Sequence, residues 1–341
     1  MTRFRTGKIP SKILIRNVLR HRGSRDPDVI MGSSLGEDAA LVKLDGRTIV
    51  LKTDPVTATT SDAGWLAVHI NANDVACRGA KPRWFLCDLL LPEGTDIELI
   101  DSIMRQIDSA AKKLGIAIVG GHTEVTPNLT RPIVVGYMVG WLKPGQKFIT
   151  SAGARLDDDI IMTKSAGIEG TSLLATDFST RLTEEGVGKY LRQAKAMRHS
   201  IGVVEDALIA ARSGGIHAMH DPTEGGLLQG VWEIAEASKT GFIVNESRIA
   251  IKPATEKICS ALRVNPLRLL SSGCLLIAAD KRKSSLILRR LRASGIQAHI
   301  IGRFTERKEG RRLVKSDGSS LEIGPSERDE LYRVIEALGN A

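Results

Sequence analysis

The sequence of 341 residues is long enough for about two domains, each with its own core, since 42% of the residues are hydrophobic and 26% are charged. This composition excludes collagen-like, disordered and coiled-coil proteins, and no apolar run approaches the ~20 residues that span a bilayer. The net charge of +9 is concentrated towards the two ends, and without a nucleic-acid-binding motif it favours a solvated basic surface over a nucleic-acid site.

The cysteines and the start of the chain indicate the compartment. The sequence has four cysteines, Cys77, Cys87, Cys259 and Cys274. No Cys-x-x-Cys pair is present, which argues against a structural zinc site. A chain of this size does not need a disulfide framework. Residues 1–16 contain no long apolar stretch followed by a cleavage site, so no signal peptide is predicted. The sequence predicts a cytoplasmic protein with reduced thiols and with no membrane or nucleic-acid partner.

The first half of the chain alternates between predicted strands and helices. A helix over 11–20 precedes a hairpin with a turn at Asp45-Gly46. The hairpin strands are 39–44 and 48–53; helices are predicted over 63–77 and 96–114, and strands over 84–91, 115–121 and 132–142. The strand over 115–121 is expected to be buried and to run into a glycine turn.

Residues 143–158 are rich in glycine and proline and run into three aspartates, which predicts a domain boundary there. The predicted domains are 1–150 and 151–341. The second is predicted to contain strands 159–164, 216–219, 241–244, 274–279 and 297–302, with helices from about 170 and over 201–212, 226–238 and 282–293. This irregular alternation favours an α+β (mixed α/β) fold over a single doubly wound sheet.

The sequence contains none of the common nucleotide or hydrolase motifs: there is no P-loop, strand-linked G-x-G-x-x-G, H-E-x-x-H or G-x-S-x-G. Instead, acidic and glycine-rich turns recur at predicted element ends, at 36–40, 52–56, 71–76, 119–124 and 221–226. Carboxylates at strand ends suit Mg²⁺, and glycine turns let backbone N–H groups reach phosphate oxygens. Gly225-Gly226, at the start of a predicted helix, fits the phosphate role. Together these turns predict a Mg²⁺–nucleotide site built without a P-loop.

The order of these motifs resembles one superfamily, which comprises aminoimidazole ribonucleotide synthetase (PurM), thiamine-monophosphate kinase, selenophosphate synthetase and the hydrogenase maturation factor HypE. The motifs that carry the resemblance are Gly-x-Asp-Ala-Ala, Thr-Asp after a strand, Asn-Asp-Val-Ala, Gly-Gly-x-Thr and Asp-x-Thr-x-Gly-Gly, in that order across about residues 32–280. Within the superfamily the chain is most similar to HypE, particularly over 73–85 and 115–124.

The resemblance implies a two-domain PurM-like fold, with an N-terminal domain that forms a β-barrel with a second copy and a C-terminal α+β domain. ATP is expected near the cleft between them. Asp38, Asp54 and Asp74 are the implied metal ligands, and His122 and Asp54 are the predicted catalytic residues. The predicted cofactor-binding residues are Asn73, Gly120, Gly121, Lys164, Asp221, Gly225 and Gly226. ATP and Mg²⁺ are the implied cofactors, and a homodimer is the implied assembly.

The chain departs from HypE at two positions. It ends in Glu-Ala-Leu-Gly-Asn-Ala instead of a tail with the cysteine that carries the carboxamide in HypE. It has His122 where HypE has aspartate, and imidazole is a poorer Mg²⁺ ligand than a carboxylate, although Glu124 lies close by. Selenophosphate synthetase also has histidine at that turn, and Thr163-Lys164 is similar to its Thr-Lys turn, but its early cysteine is missing here.

Several of these residues also have structural interpretations. His122 is either a general base or phosphate contact, or a turn residue bonded to the backbone. Lys164 is either a phosphate contact or a solvated lysine, and Glu224 either assists a metal ion or favours the start of its helix. His217 and His220 are interpreted as packing and capping residues at a strand end rather than as a pair of metal ligands.

The sequence therefore predicts an ATP- and Mg²⁺-dependent enzyme that transfers phosphate to, or activates, an oxygen nucleophile of a small-molecule or protein-borne acceptor. The alternative is a non-catalytic nucleotide-binding dimer that acts as a partner in metalloenzyme maturation. The aspartates at 38, 54, 74 and 221 favour the enzyme. His122 and the missing cysteine tail favour the alternative, a non-catalytic maturation partner.

Overall fold

The computed structural model describes residues 4, 7–9, 11–34, 36–57, 59–326 and 328–339, and it divides into two compact units. The N-terminal unit comprises residues 25–33 and 38–148. The C-terminal unit comprises the described residues from 149 onwards, together with those before 25 and within 34–37. The change of unit at 148/149 lies inside the predicted boundary segment. The predicted first domain, 1–150, differs from the N-terminal unit at its start, because residues such as Glu37 belong to the C-terminal unit. There Glu37 accepts a hydrogen bond from the Ser151 N–H at 3.3 Å.

The first helix, α1, spans Ser11–Ile13 and continues as a π-helix over Leu14–Leu19, which confirms the helix predicted over 11–20. The N-terminal unit contains six strands and two helices: β1 Val29–Met31, β2 Ala40–Leu44, β3 Arg47–Val56, α2 Ala63–Cys77, β4 Lys81–Leu91, α3 Ile97–Leu114, β5 Ala117–Val125 and β6 Ile133–Trp141. The strands form one sheet in the order β1-β2-β3-β6-β4-β5, antiparallel except for the β4–β5 pair.

The two faces of this sheet differ in burial. Helix α2 packs on β3, β4 and β6, and α3 packs on α2. Side chains on the covered face, such as Phe85 and Met138, are fully buried. On the opposite face, Leu51, Trp84 and Tyr137 are 39%, 45% and 38% exposed. We call this second surface the open face of the N-terminal sheet.

Local sequence signals account for the turns and helix ends of this unit. Asp45 and Gly46 adopt φ values of 47° and 75°, as a two-residue hairpin turn with primed geometry requires. Helix α3 begins after Asp96, whose carboxylate accepts the Leu99 N–H at 2.8 Å, and it ends at Gly115, which has φ 67°. The predicted hairpin and both predicted helices are therefore confirmed.

Strand β5 contradicts its prediction. It extends to Val125, through the residues expected to form a glycine turn, and all nine of its residues are exposed. The strand lies at an edge of the sheet and pairs with β4 alone. Ile116, just before the strand, is buried, but Ile118 and Val119 are 38% and 53% exposed. The apolar run thus did not predict the exposure of the strand itself, which has a neighbour on one side only.

The C-terminal unit contains seven strands: β7 Asp159–Thr163, β8 Ile216–His220, β9 Gly241–Asn245, β10 Leu276–Ala279, β11 Ala298–Thr305, β12 Arg311–Val314 and β13 Ser320–Glu322. Its remaining helices are α4 Ile168–Asp177, α5 Ser179–Glu184, α6 Leu191–Ala196, α7 Val204–Ser213, α8 Gly226–Ala237, α9 Pro253–Ala261, α10 Lys281–Ala293 and α11 Glu330–Leu338. The sheet order is β13-β12-β9-β11-β7-β10-β8, and only β12 and β9 pair in parallel. Its core includes Met162, Leu227, Phe242 and Phe304.

The predicted strands and helices of the second domain all occur, with ends that differ by a few residues. The elements that the sequence did not predict are α5, α6, α9, α11, β12 and β13, most of them short. Within the described part of the chain, no helix combines the length and apolar character needed to cross a membrane. The fold is mixed α+β with one sheet in each unit, as the sequence predicted.

Candidate functional site

Three charged side chains meet between β3 and α2 in the N-terminal unit. Lys52 and Asp54, two residues apart on β3, project from the same face of the strand, towards Asp74 of α2. The Nζ of Lys52 lies 2.7 Å from Oδ2 of Asp74 and 3.3 Å from Oδ2 of Asp54. Asp74 is buried, whereas the Asp54 side chain is 40% exposed, so the cluster reaches the surface at Asp54.

Asp38, the third predicted metal ligand, has a different cationic neighbour. Its Oδ2 lies 3.4 Å from Nη2 of Arg78, whose side chain is completely buried. Arg78 follows Asn71 and Asp74 by seven and four residues, so the three side chains lie along one side of α2. We use the term acidic cluster for Asp38, Asp54 and Asp74.

The chain itself supplies the positive charge of this region. Burial opposes the charge of Lys52, but the carboxylates of Asp74, Asp54 and Asp38 together hold the pKa of Lys52 above its usual range. Among the described residues, no group of three or more His, Cys, Asp or Glu side chains is arranged to hold a metal ion. The carboxylates of the acidic cluster have oxygen donors of the kind that Mg²⁺ prefers, but Lys52 lies between two of them.

Asn71, which was not among the predicted site residues, ties the cluster to the sheet. Its Nδ2 donates to the main-chain carbonyl of Asp54 at 3.2 Å and to that of Ala67 at 2.8 Å. This approach needs glycine at position 136 of β6, where a Cβ would lie 2.4 Å from Nδ2. Asn73, the predicted neighbour of the phosphates, is completely buried in α2. The alternation of β3 could have identified Lys52, and the helical spacing Asn71–Asp74 could have identified Asn71.

The two predicted catalytic residues are not brought together within the N-terminal unit. Asp54 of β3 pairs with Gly136 of β6, which pairs with Cys87 of β4, which in turn pairs with Gly121 of β5. Strands β6 and β4 therefore separate Asp54 from β5. His122 is the next residue along β5 and projects from the opposite face. Three strand spacings amount to about 14 Å. His122 cannot act on the same atom as Asp54 within one copy of this unit.

His122 has a carboxylate partner on its own strand. Its Nε2 lies 3.2 Å from Oε2 of Glu124, whose other oxygen accepts the hydroxyl of Thr126 at 2.7 Å. The hydrogen bonds from Thr126 and then from His122 lower the pKa of Glu124. His122 and Glu124 are largely exposed on the open face. The interpretation of His122 as a turn residue is wrong, because it lies in the middle of a strand.

In the C-terminal unit, the predicted phosphate-binding turn is capped by a carboxylate. Gly225 and Gly226 adopt φ values of 83° and 69° and lead into α8. The N–H of Gly225 donates to Oδ2 of Asp329 at 2.6 Å, and Oδ1 of Asp329 accepts the Leu331 N–H at 2.8 Å. The positive end of the α8 dipole therefore faces a carboxyl group that belongs to the protein.

Other acidic side chains surround this turn. Asp221 is buried at its start. Glu224 accepts hydrogen bonds from the hydroxyl of Tyr332 at 3.0 Å and from the main-chain N–H of Lys8 at 3.1 Å. Glu169 on α4 is buried, and its Oε2 lacks a hydrogen-bond partner among the described residues. Burial, with repulsion from neighbouring carboxylates, raises the pKa of Glu169 to about 7, and burial does the same for Asp329.

We expect the free energy of unfolding to fall as the pH rises from about 4.5 to about 7, because folded Glu169 holds its proton over this range and the unfolded chain does not. In the variant Glu169→Gln, the glutamine at position 169 does not titrate. The variant should match the wild type near pH 4 and exceed it by about 3 kcal/mol near pH 8, since one pKa unit corresponds to about 1.4 kcal/mol. Denaturant unfolding of both proteins at several pH values measures the difference.

The matched control is Glu256→Gln, at an exposed position in the first turn of α9. A carboxylate at a helix start stabilises the folded state by less than about 1 kcal/mol, so this change should act weakly and in the opposite direction. Asp329 titrates over the same range, so the quantity compared is the difference between variant and wild type. A constant difference from pH 4 to pH 8 would contradict the assignment of Glu169.

Lys164 and the two histidines of β8 all have carboxylate partners. The Nζ of Lys164 donates to the Gly202 carbonyl at 2.6 Å and lies 3.3 Å from Oδ1 of the buried Asp206. Lys164 is therefore not a solvated lysine. His217 lies 2.8 Å from Asp158 and His220 lies 2.9 Å from Glu233, so the two rings bind different carboxylates and do not form one ligand pair.

The chain matches the family of AIR synthase related proteins in both of its units. Residues 36–142 match the N-terminal domain of that family, and residues 156–315 match its C-terminal domain. Together the two matches cover more than three quarters of the chain.

Two relatives align with most of this chain. A putative hydrogenase expression/formation protein of Methanocaldococcus jannaschii is 27% identical over 317 residues, which cover 89% of this chain and 90% of that protein. Carbamoyl dehydratase HypE of Cupriavidus necator is 28% identical over 287 residues, which cover 82% of this chain and 79% of that protein.

A crystal structure of the hydrogenase maturation protein HypE in complex with ATP has the same fold. It aligns with a TM-score of 0.70 over 96% of this chain and 97% of that chain, at 24% identity. The matches to both domains lead to one conclusion: the chain belongs to the family of AIR synthase related proteins.

Proposed function

We propose that this protein binds ATP and uses it to phosphorylate, or to activate through its phosphate, an oxygen nucleophile of a small-molecule or protein-borne acceptor. Membership of the AIR synthase related family supports the reaction class. The observation that carries the proposal is the charged cluster formed by Lys52, Asp54 and Asp74, which is fixed between β3 and α2 and open to the surface at Asp54. A fixed ammonium of this kind positions a phosphoryl group and compensates part of its charge.

The residues of this chain have separate roles in the proposal. The ammonium of Lys52 compensates phosphate charge, and Asp54, at the exposed rim, orients that ammonium. Asn71 holds the Asp54 main chain against α2, which keeps the cluster rigid. Mg²⁺ belongs to the proposal as the ion that accompanies the nucleotide phosphates. No step is assigned to a metal ion held by the acidic cluster, because Lys52 and Arg78 already pair with its carboxylates.

The carbamoyl chemistry in the name of the HypE relatives is not part of the proposal. All four cysteines of the sequence are buried. Burial raises the pKa of Cys259 and of Cys274 to about 12, which leaves little thiolate at neutral pH. None of these four thiols is placed to carry a group to a solvent-exposed acceptor.

The experiment that tests the proposal has two measurements on the wild type. Calorimetric titration measures ATP binding, and coupled detection measures ADP release with and without candidate acceptors. Saturable binding with acceptor-stimulated ADP release supports the enzyme. Failure to bind ATP would overturn the proposal.

The second candidate is a nucleotide-binding partner in metalloenzyme maturation that has no turnover of its own. The observation that favours it is the separation of His122 from Asp54 by two strands. The names of the relatives point to the same setting. ATP binding without ADP release under any acceptor condition distinguishes this candidate from the enzyme.

The open face of the N-terminal sheet predicts a homodimer. Leu51, Trp84 and Tyr137 form an apolar surface on strands β3, β4 and β6, and none of the described helices of this unit covers it. Two copies packed through this face would bury these side chains and bring a second His122 to the same surface. Light scattering should give about twice the chain mass of 36.9 kDa.

A charge placed on the open face should weaken the dimer. We expect Leu51→Glu to shift the protein towards monomer at micromolar concentration. The control is Ile97→Glu, which introduces the same charge at a 79% exposed aliphatic residue on α3, on the covered side of the sheet. Equal effects of the two variants, or a wild type that is monomeric, would contradict this interface.

A further inference from the structure

Lys52 occupies the position between two carboxylates at which the sequence predicted a divalent cation. Its ammonium lies 2.7 Å from Asp74 and 3.3 Å from Asp54, and its side chain is only 10% exposed. Mg²⁺ binds carboxylate oxygens at about 2.0–2.1 Å in an octahedron of oxygen ligands. An ion that bridged Asp54 and Asp74 would overlap the ammonium. The acidic cluster therefore does not fit a resident Mg²⁺ while Lys52 is in place.

The ammonium supplies one of the two positive charges of such an ion. It cancels one carboxylate charge of the cluster, and Arg78 cancels another at Asp38. An ammonium group has three N–H donors. Among the described residues, the carboxylates of Asp54 and Asp74 are the charged partners of Nζ, which leaves one donor direction for a phosphate oxygen. The exposed Asp54 marks the side from which a phosphate could approach.

We propose that Lys52 is the resident cation of this site and contacts the terminal phosphate of the bound nucleotide, so that nucleotide binding does not require a divalent ion held by Asp54 and Asp74. The ligand named here rests on the proposed function, whereas the role of Lys52 as resident cation rests on the geometry of the cluster. The chain thus differs from the metal-ligand assignment that its motifs imply.

The first arm of the test measures nucleotide affinity. A non-hydrolysable ATP analogue is titrated against wild type, Lys52→Met and Lys52→Gln, in excess EDTA and in excess MgCl₂. Lys43→Met, at an exposed lysine on β2, is the control. We expect the affinity of wild type and the affinity of the control to change by the same factor between the two conditions. Both Lys52 variants should lose about tenfold or more in EDTA, with partial recovery in MgCl₂.

The second arm uses metal alone and needs no nucleotide. Mn²⁺ is titrated against the same proteins, because its preference for oxygen ligands is similar to that of Mg²⁺. Removal of the ammonium leaves Asp54 and Asp74 uncompensated, so Lys52→Met and Lys52→Gln should bind Mn²⁺ about tenfold or more tightly than wild type. Lys52→Arg retains the charge and should behave like wild type. It also serves as the folded comparison if the neutral variants lose stability.

The outcomes separate this proposal from the proposed function. If the Lys52 variants lose no more affinity in EDTA than wild type and the control do, or if Mn²⁺ binds wild type as tightly as the neutral variants, Lys52 is not the resident cation. If no protein binds the analogue under either condition, the proposed function fails. In that case the Mn²⁺ arm still decides the role of Lys52.

Discussion

Replacement of Asp54 by Asn should lower ATP-dependent turnover about a hundredfold, the usual cost of removing one fixed electrostatic group from an active site. The amide keeps the shape of the side chain but loses the charge that orients Lys52. Asp54 lies at the exposed rim of the cluster, so the change should leave the protein folded. Initial rates of ADP release, measured with the acceptor that stimulates the wild type, provide the comparison.

The matched control for this prediction is Asp45→Asn in the β2–β3 turn. Asp45 is exposed and adopts φ 47°, a conformation that asparagine also tolerates. It is an aspartate of the same hairpin but lies outside the site, so its rate should equal that of the wild type. Equal rates for Asp54→Asn and wild type would remove Asp54 from the mechanism.

Gly121→Ala should destabilise the N-terminal unit by about 1–3 kcal/mol, the typical cost of a substitution that forces steric overlap in the folded state. A Cβ at this position would lie 2.0 Å from the main-chain oxygen of Cys87 on β4. The two strands would have to separate, and this is the pair that holds β5 in the sheet. Thermal unfolding detects the loss as a lower melting temperature.

Gly120→Ala separates a packing role from a phosphate-binding role. At position 120 a Cβ would lie 3.6 Å from Leu86, an ordinary contact, and φ is 159°, so this variant carries backbone strain without steric overlap and should lose less stability than Gly121→Ala. If the two glycines instead form a phosphate cradle, both variants should weaken ATP binding with little change in melting temperature. Melting temperature and ATP affinity, both measured on Gly120→Ala and Gly121→Ala, decide between the packing role and the phosphate-binding role.

The sequence predicted the locations of most elements because their signals are local. Asp45-Gly46 determines the β2–β3 turn through backbone conformation, and Asp96 and Gly115 determine the ends of α3 through capping. The motif order from the Gly-x-Asp-Ala-Ala turn to the Asp-x-Thr-x-Gly-Gly turn predicted the family. Short elements such as β13, a strand of three residues, were missed because so few residues carry little periodicity.

Strand β5 shows where a local signal fails. The sequence of 115–121 is apolar and ends in two glycines, a pattern that is typical of a buried strand before a turn. Its exposure depends on its place at the edge of the sheet, and Gly121 is required by the close approach of the Cys87 main chain. Both facts concern neighbours that are distant in sequence. The same applies to His122, whose face and distance from Asp54 follow from the strand order.

By itself, the sequence determined the family, the two-unit α+β fold and the set of charged motifs, because these depend on residue types and their spacing along the chain. Only the tertiary structure decided how the charges are compensated. It placed Lys52 between Asp54 and Asp74, and it placed Asp329 at the start of α8. The physical reason is that electrostatic compensation depends on distances of 3–4 Å between side chains on different elements, and such distances are set by packing rather than by local sequence.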